Sequence, residues 1–370
     1  MKVDGKNTRP IWFNRDTRTF RVIDQRFLPH RMVVKDLATV EHVIHAIKEM
    51  VVRGAPLIGA AGAAGVYVAL VQEKNRAEDN EWLSHQCDLL RNARPTATNL
   101  CWGVDRVQAA VLEHPAREAR TRAALNEALD IMEEEAVNCR KIGEYGLALI
   151  QKISDNKNGR PVNILTHCNA GWLACIEYGT ATAPVYAAFD AGIDVHVWVD
   201  ETRPLNQGSR LTAWELGKHG IAHTIITDNA GGHLMQHNLV DLVIVGTDRT
   251  TRAGDVANKI GTYLKALAAK DNNIPFYVAL PSSTFDWSIT DGITDIPIEE
   301  RDPDEIRYVQ GWCNDDIIQV LVPPENSPAA NHAFDVTPAR LVTGFITERG
   351  MCDASEKGIK SLFSDKFTKE

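Results

Sequence analysis

Short apolar runs recur through the second half of the chain, and the stretches between most of them are long enough for helices. The runs that predict strands cover residues 162–166, 193–199, 222–227, 241–246, 275–281 and 317–322. Strands that alternate with helices form parallel sheets connected by crossover helices. This half of the chain therefore predicts an α/β fold with a doubly wound parallel sheet.

The first half predicts a small sheet followed by helices. Residues 11–13 and 20–24 are typical of strands, and residues 33–50 have helical spacing, with Thr39 or Asp36 as the cap. Residues 118–150 have the apolar spacing of one helix face. The polar run at 154–161 predicts a domain boundary, so we expect a mainly helical domain at 1–155 and a catalytic domain at 156–370.

Bulk properties exclude several classes of protein. The apolar run Pro56–Val71 is short for a membrane span and predicts a buried helix, and the N-terminus lacks a signal-peptide core. A net charge of −9 argues against a nucleic-acid partner. The seven cysteines form no CxxC pair, which favours reduced thiols. We therefore expect a cytoplasmic protein without membrane or nucleic-acid partners.

Polar residues follow four of the predicted strands, namely Cys168, Asp200–Glu201, Asp228–Asn229 and Asp248. Ligands of open α/β sheets bind beyond the carboxyl ends of the strands. A thiol and a carboxylate delivered there, Cys168 and Asp248, form a plausible acid/base pair. Each also has an ordinary alternative, because cysteines often pack in cores and aspartates often cap helices. Capping is the role we predict for Asp228.

Two segments predict an anion site. Arg53–Gly54–Ala55–Pro56 leads into a helix whose N-terminus suits a phosphate, and Arg94 offers a second cation. Residues 255–262 predict a helix start with Asn258 and Lys259 in its first turns. A lysine is disfavoured there unless an anion lies opposite. For Gly59, Gly62 and Gly65 we predict only close helix packing.

The sequence gives little reason to expect a metal or a nucleotide cofactor. His233 and His237 have i, i+4 spacing but no accompanying carboxylate pattern, and neither a GxGxxG nor a Walker A motif is present. His167 precedes Cys168, but neighbours on a strand point to opposite faces, so we expect no direct pairing.

A series of motifs in order along residues 11–350 is similar to that of one enzyme family. They include residues 24–26, 53–59, 94–97, 166–171, 200–208, 254–263, 281–286, 298–301 and 334–338. The chain resembles the S-methyl-5-thioribose-1-phosphate isomerases, which are related to regulatory subunits of the translation-initiation nucleotide exchange factor. Where that family has Gly-Ala-Asp-Arg-Ile, this chain has Gly246-Thr247-Asp248-Arg249-Thr250, and Ala253 replaces the Asn of Asn-Gly-Asp.

The resemblance implies a helical N-terminal domain, a Rossmann-like C-terminal domain and a homodimer. It makes Cys168 and Asp248 the catalytic pair, with Asp248 the proton donor. The implied substrate-binding residues are Arg53, Gly54, Ala55, Arg94, Gln207, Asn258 and Lys259.

The implied reaction converts S-methyl-5-thio-α-D-ribose 1-phosphate to S-methyl-5-thio-D-ribulose 1-phosphate, in methionine salvage and without a cofactor. It proceeds by proton transfer or by a hydride shift. One alternative is an isomerase of 5-deoxyribose 1-phosphate, or one that accepts both substrates. The other is a non-catalytic regulatory subunit that senses a sugar phosphate or a nucleotide.

Overall fold

The computed structural model describes residues 1–94 and 96–367. Pro95, within the Arg94–Pro95–Thr96 motif, and residues 368–370, at the end of the predicted second domain, lie outside the described residues. Within this described part, the first 154 residues form two small antiparallel sheets, five α-helices and one 3-10 helix at Lys74–Arg76. In chain order the strands and α-helices are β1 (Lys2–Val3), β2 (Lys6–Asn7), β3 (Ile11–Asn14), β4 (Thr19–Ile23), β5 (Val34–Leu37), α1 (Val40–Lys48), α2 (Ala55–Gln72), α3 (Asn80–Arg91), α4 (Thr98–Leu112) and α5 (Arg117–Ser154).

The predicted helix at 33–50 is wrong over its first residues. Residues 34–37 form β5, because they pair with the open edge of β4. The helix begins only after Thr39, whose Oγ1 accepts a hydrogen bond from the backbone N–H of His42. Thr39 is therefore the cap, whereas Asp36 lies in the strand and pairs with Arg21.

Helix α2 is buried, as its composition predicts. By length and composition it could cross a membrane, but 89% of that window lies inside the protein. Its glycines allow close contact with neighbouring helices: a Cβ at Gly62 would meet Leu100, and one at Gly65 would meet Leu90. The packing role predicted for these glycines is confirmed.

The remaining described residues form the larger sheet and its surrounding elements. In chain order these are β6 (Val162–Thr166), α6 (Ala183–Asp190), β7 (Val195–Asp200), α7 (Ala213–His219), β8 (Ala222–Ile226), α8 (Ala230–Gln236), β9 (Leu242–Val245), β10 (Arg249–Thr251), β11 (Val256–Lys259), α9 (Thr262–Asp271), β12 (Phe276–Ala279), β13 (Phe285–Asp286), α10 (Gly292–Asp295), α11 (Asp304–Arg307), β14 (Tyr308–Cys313), β15 (Asp316–Leu321), β16 (Phe334–Thr337), β17 (Gly344–Thr347), β18 (Gly350–Cys352) and α12 (Glu356–Leu362).

The larger sheet is doubly wound, which confirms the predicted fold class. Its strand order is β18-β17-β12-β9-β6-β7-β8, and every pair except β17–β18 is parallel. Numbered along the chain, the six parallel strands follow the Rossmann order 3-2-1-4-5-6. The order reverses between β6 and β9.

Two predictions about this half are wrong. Residues 317–322 do not join the large sheet, because β15 pairs with β14 in a separate hairpin, and β17 supplies the sixth parallel strand. Residues 255–259 do not start a helix. Residues 256–259 form β11, which pairs with β10 and β16, and α9 begins only at Thr262.

Helix α5 packs on both halves. It contacts α2 and α4 on one side and α6 on the other, where Gly146 lies close to Pro184. The boundary at 155/156 stays a prediction.

We expect Gly103→Ala to destabilise the protein, because a Cβ there would lie 2.4 Å from the carbonyl oxygen of Gly59 on α2. Overpacking of this kind costs about 1–3 kcal/mol. Gly311→Ala is the control, because no heavy atom apart from the glycine itself and its two chain neighbours lies within 4 Å of the added Cβ. Urea unfolding measures both variants, and equal free energies of unfolding would contradict the close approach of α2 and α4.

Glu135 on α5 predicts a pH dependence of stability. Burial raises its pKa to about 8, although Ser283 Oγ donates to its Oε1 at 2.7 Å. The folded protein then holds a proton that the unfolded chain releases, so stability falls as pH rises from about 4.5 to 8. The slope approaches ~1.4 kcal/mol per pH unit. Glu135→Gln should reduce the slope by about this amount in urea unfolding at about pH 5 to 8. Parallel slopes in both proteins would exclude Glu135 as its source.

Candidate active site

The site lies in the crevice where the strand order reverses. Cys168 follows the end of β6, and Asp248 follows the end of β9. Both line one cavity, and Arg53, Gly54, Ala55 and Asn258 line the same cavity. The two strand-end residues singled out by the sequence therefore meet where Rossmann folds bind ligands.

The backbone at Cys168 is held in an unusual conformation. Its φ of 64° lies in the left-handed region, which is uncommon for a residue with a Cβ. The N–H of Cys168 donates to Thr202 Oγ1 at 2.8 Å, and its carbonyl accepts from Thr212 Oγ1 at 2.7 Å. These bonds from neighbouring segments fix the conformation, and strain of this kind is concentrated at functional sites.

Buried Glu215 supports the loop that follows Cys168. Its carboxyl oxygens accept from the N–H groups of Trp172 and Leu173 and from Asn169 Nδ2. Burial raises the pKa of Glu215 to about 7, against the effect of these donors. The loop thus keeps its shape through hydrogen bonds to Glu215.

Arg53 lies beside the thiol. Its Nη1 donates to Asn169 Oδ1 at 2.6 Å, and its Nη2 lies 3.9 Å from Cys168 Sγ. The sequence predicted a cation that clamps a phosphate. The geometry gives the guanidinium a second effect, because its positive charge faces the sulfur directly.

The N-terminus of α2 opens into the cavity, as predicted. Gly54 is the cap with φ of 96°, and a Cβ there would lie 2.4 Å from Ala174 Cβ. Ala55 begins the helix and Pro56 follows. Backbone N–H groups and the helix dipole at such a terminus suit an anion.

Lys259 and Asn258 reach the site from a strand. Lys259 is buried, and desolvation lowers its pKa, while the charges of Cys168 and Asp248 oppose that change. Its Nζ lies 4.6 Å from the centre of the Phe334 ring. Asn258 Nδ2 donates to Thr262 Oγ1 at 3.0 Å. Because Lys259 lies in a strand, the helix dipole gives no reason to expect an anion here, but a buried ammonium that interacts with Cys168 and Asp248 still favours one.

Arg94 lies next to a second, mainly apolar cavity. Its Nη2 pairs with Glu299 at 3.0 Å, and its guanidinium lies 5.8 Å from the Phe334 ring centre. This cavity also contacts Asp248, so it opens beside the predicted proton donor. Its apolar lining consists of Ala55, Ile58, Ala97, Ala257, Ile296, Pro297 and Phe334.

Gln207 lines a third cavity together with Arg53. Its Oε1 is buried and has no hydrogen-bond partner among the described residues. A buried amide oxygen without a partner is costly, and a ligand hydroxyl would satisfy it. Eight of the nine predicted site residues thus line three adjoining cavities. The ninth, Lys259, interacts electrostatically with Cys168 and Asp248.

Some residues that shape the site are not predictable from the sequence alone. Phe334 and Glu299 lie in motifs that supported the resemblance, yet only their contacts with Lys259 and Arg94 reveal a role. Asp228 is not a helix cap, contrary to prediction: its carboxylate accepts from the N–H groups of Thr202 and Arg203 at 2.7 Å. Because Thr202 and Arg203 lie far from Asp228 in the sequence, no local pattern predicts these hydrogen bonds.

One group among the described residues has metal-ligating side chains close together, namely His167, Asp200 and Asp228. It does not fit a divalent cation, because Lys265 Nζ lies 3.1 Å from Asp200 Oδ2 and already supplies the positive charge. His167 faces Asp200 rather than Cys168, as predicted. The His233 and His237 rings contact each other, with centroids 4.3 Å apart.

Known proteins match the chain over nearly its full length. The methylthioribose-1-phosphate isomerase of Desulfatibacillum aliphaticivorans is 65% identical over 99% of this chain and 100% of its own length. The structure of 5-methylthioribose 1-phosphate isomerase from Pyrococcus horikoshii OT3 matches with a TM-score of 0.81 at 38% identity, covering 97% of each chain.

A translation initiation factor eIF-2B subunit delta from A. fulgidus matches with a TM-score of 0.77 at 40% identity, covering 97% of this chain and 100% of its own. The model of the initiation factor 2 subunit family (IF-2B) matches residues 51–354. The chain therefore belongs to the initiation factor 2 subunit family and has methylthioribose-1-phosphate isomerases among its full-length relatives.

Proposed function

We propose that this chain is an aldose–ketose isomerase that converts S-methyl-5-thio-α-D-ribose 1-phosphate to S-methyl-5-thio-D-ribulose 1-phosphate in methionine salvage. The observation that carries this proposal is the placement of Cys168 and Asp248 on both sides of one crevice, with Arg53 beside the sulfur. A regulatory subunit that only senses a ligand has no need of a thiol opposite a carboxylate. The near-identical length and high identity of relatives named for this activity support the same conclusion.

The chemistry needs an acid and a base. Because the anomeric oxygen carries phosphate, the sugar ring opens only if the ring oxygen is protonated as its bond to C1 breaks. Asp248 supplies that proton in our proposal. Cys168 as thiolate then removes the proton from C2, giving an enol phosphate, and returns it to C1. The O2 proton passes to Asp248, so the carboxyl group regains its proton and C2 becomes the ketone.

The alternative route moves hydrogen from C2 to C1 as hydride. Cys168 would then only polarise the O2 side. The guanidinium 3.9 Å from Sγ supports the proton-transfer route, because its positive charge lies beside the sulfur that acts as the base in that route. Neither route calls for a metal or a nicotinamide.

Substrate recognition divides among the three cavities in this proposal. The phosphate lies between the α2 N-terminus at Gly54 and Ala55 and the cations Arg53, Arg94 and Lys259, while Asn258 and Gln207 bind hydroxyls. The apolar cavity beside Asp248 takes the methylthio group. We further propose that the chain acts as a cytoplasmic homodimer, as the resemblance implies.

Loss of either catalytic group should abolish turnover. Cys168→Ser and Asp248→Asn keep the shape of the site but remove the base and the proton donor, so we expect kcat to fall by about 100-fold or more in each. NMR of the sugar phosphate in chelator-containing buffer measures conversion. Cys313→Ser and Asp155→Asn, at exposed positions outside the site, are the matched controls.

Near-normal kcat in Cys168→Ser would exclude the thiol as the base. Retained kcat with a much higher KM in Asp248→Asn would make Asp248 a binding residue. Absence of any conversion by the wild-type chain would favour the regulatory alternative.

The apolar cavity predicts the substrate preference. Apolar pockets discriminate small apolar groups by only about 1–3 kcal/mol, so methylthioribose 1-phosphate and 5-deoxyribose 1-phosphate should both react, with kcat/KM values within about 100-fold. Ribose 1,5-bisphosphate should react far more slowly, because its second phosphate would enter a mainly apolar cavity beside the carboxyl group of Asp248. A preference for the bisphosphate would contradict this assignment of the cavity.

A further inference from the structure

His167 lies next to Cys168 in sequence but faces a different, buried set of groups. Its Nδ1 lies 2.8 Å from Asp200 Oδ2, and its Nε2 lies 2.8 Å from the carbonyl oxygen of Ile260. The carbonyl oxygen of Ile260 can only accept a hydrogen bond. The same is true of the Asp200 oxygen when that carboxyl group is ionised. Only a ring that carries a proton on each nitrogen makes both bonds, so the geometry indicates an imidazolium.

Charged groups from several elements surround this ring. Asp200 ends β7, Asp228 follows β8 with Oδ1 at 4.0 Å from Nδ1, and Lys265 of α9 contacts Asp200 at 3.1 Å. Asp335 of β16 interacts electrostatically with both His167 and Lys265. Two cations thus face three carboxyl groups. A buried charge needs such pairing, and an imidazolium is matched here by nearby carboxylates.

The same cluster holds the two segments that carry the reactive groups. Ile260, which His167 binds, directly follows Lys259. Asp228 accepts from the N–H of Thr202, and Thr202 Oγ1 in turn accepts from the N–H of Cys168. The ring therefore connects the end of β6 to the end of β11. Gly261 permits this contact, because a Cβ there would lie 3.2 Å from His167 Cε1.

We propose that His167 is a positioning residue that, as a buried imidazolium between Asp200 and the Ile260 carbonyl, fixes Cys168 relative to Lys259. It acts through these neighbours and not on the substrate. The inference rests on the proposed function, because it gives Cys168 the proton transfer and Lys259 the phosphate. The bond to Asp200 fixes the Cys168 side, and the bond to Ile260 fixes the Lys259 side.

Two substitutions, each of which keeps one of the two ring nitrogen positions, separate the two hydrogen bonds. His167→Asn places an amide nitrogen where Nδ1 lies, so it keeps the bond to Asp200 and loses the one to Ile260. His167→Gln places its amide nitrogen where Nε2 lies, so it keeps the bond to Ile260 and loses the one to Asp200. His196→Gln is the control, because His196 is a half-buried histidine of β7 that binds Thr224 instead.

The test is to measure kcat and KM, with kcat normalised to the concentration of folded protein, at a temperature well below each variant's Tm. We expect His167→Gln to lose at least roughly ten-fold in kcat with a small change in KM. We expect His167→Asn to raise KM at least roughly ten-fold with the smaller effect on kcat, and His196→Gln to change neither. Wild-type kcat and KM in both His167 variants, with only a lower Tm, would make the role structural and overturn the proposal.

A spectroscopic measurement needs no variant. ¹⁵N-histidine labelling of the full-length protein should show, in the assay buffer, one ring with two protonated nitrogens whose hydrogens exchange slowly with solvent. Absence of such a ring would overturn the proposal even where the variants fail to fold. If the wild-type chain turns over no sugar phosphate, the proposed function fails instead, and the two failures are therefore distinguishable.

Discussion

The reversal of strand order between β6 and β9 is the constraint on which the site depends. Helices that follow the two strands pack on opposite faces of the sheet, so the chain diverges there and leaves a crevice at the strand ends. Cys168 and Asp248 are the residues that enter this crevice, because each follows its strand within a few residues. The sheet order alone thus brings together two groups that lie 80 positions apart.

The crevice contains positively charged side chains that would destabilise the fold if they were buried without partners. Arg53, Arg94 and Lys259 are mostly buried, and desolvation disfavours the charged form of Lys259. Asn169, Glu299 and the Phe334 ring offset part of this cost through hydrogen bonds, an ion pair and cation–π contacts. A substrate phosphate would add charge-assisted bonds, each contributing about 1.5–3 kcal/mol. The site is therefore built to gain stability when an anion binds.

Local sequence patterns were sufficient for the elements whose residues determine their own structure. The apolar runs at β6 and β9, the Thr39 cap and the buried helix α2 all follow from composition and spacing within a few residues. The errors lie where distant pairing decides. Residues 34–37 form a strand because β4 offers an edge, and residues 256–259 form one because they lie between β10 and β16.

The same limit applies to the site. Cys168, Asp248 and Arg53 were predictable, because a strand end or a helix start marks each of them. Other contacts join segments that lie 33 to 93 residues apart, so no local motif predicts them. They are the contact of Phe334 with Lys259 and the hydrogen bonds of His167 with Asp200 and Ile260.

A crystal structure of the Cys168→Ser variant with methylthioribose 1-phosphate tests the central claim most directly. We predict that the phosphate lies at the N-terminus of α2 near Lys259, with C2 beside the hydroxyl oxygen that replaces the Cys168 sulfur. The ring oxygen should lie within hydrogen-bond distance of Asp248, and the methylthio group should lie against Phe334. A sugar phosphate bound away from the β6–β9 crevice, with Asp248 remote from the ring oxygen, would contradict this claim.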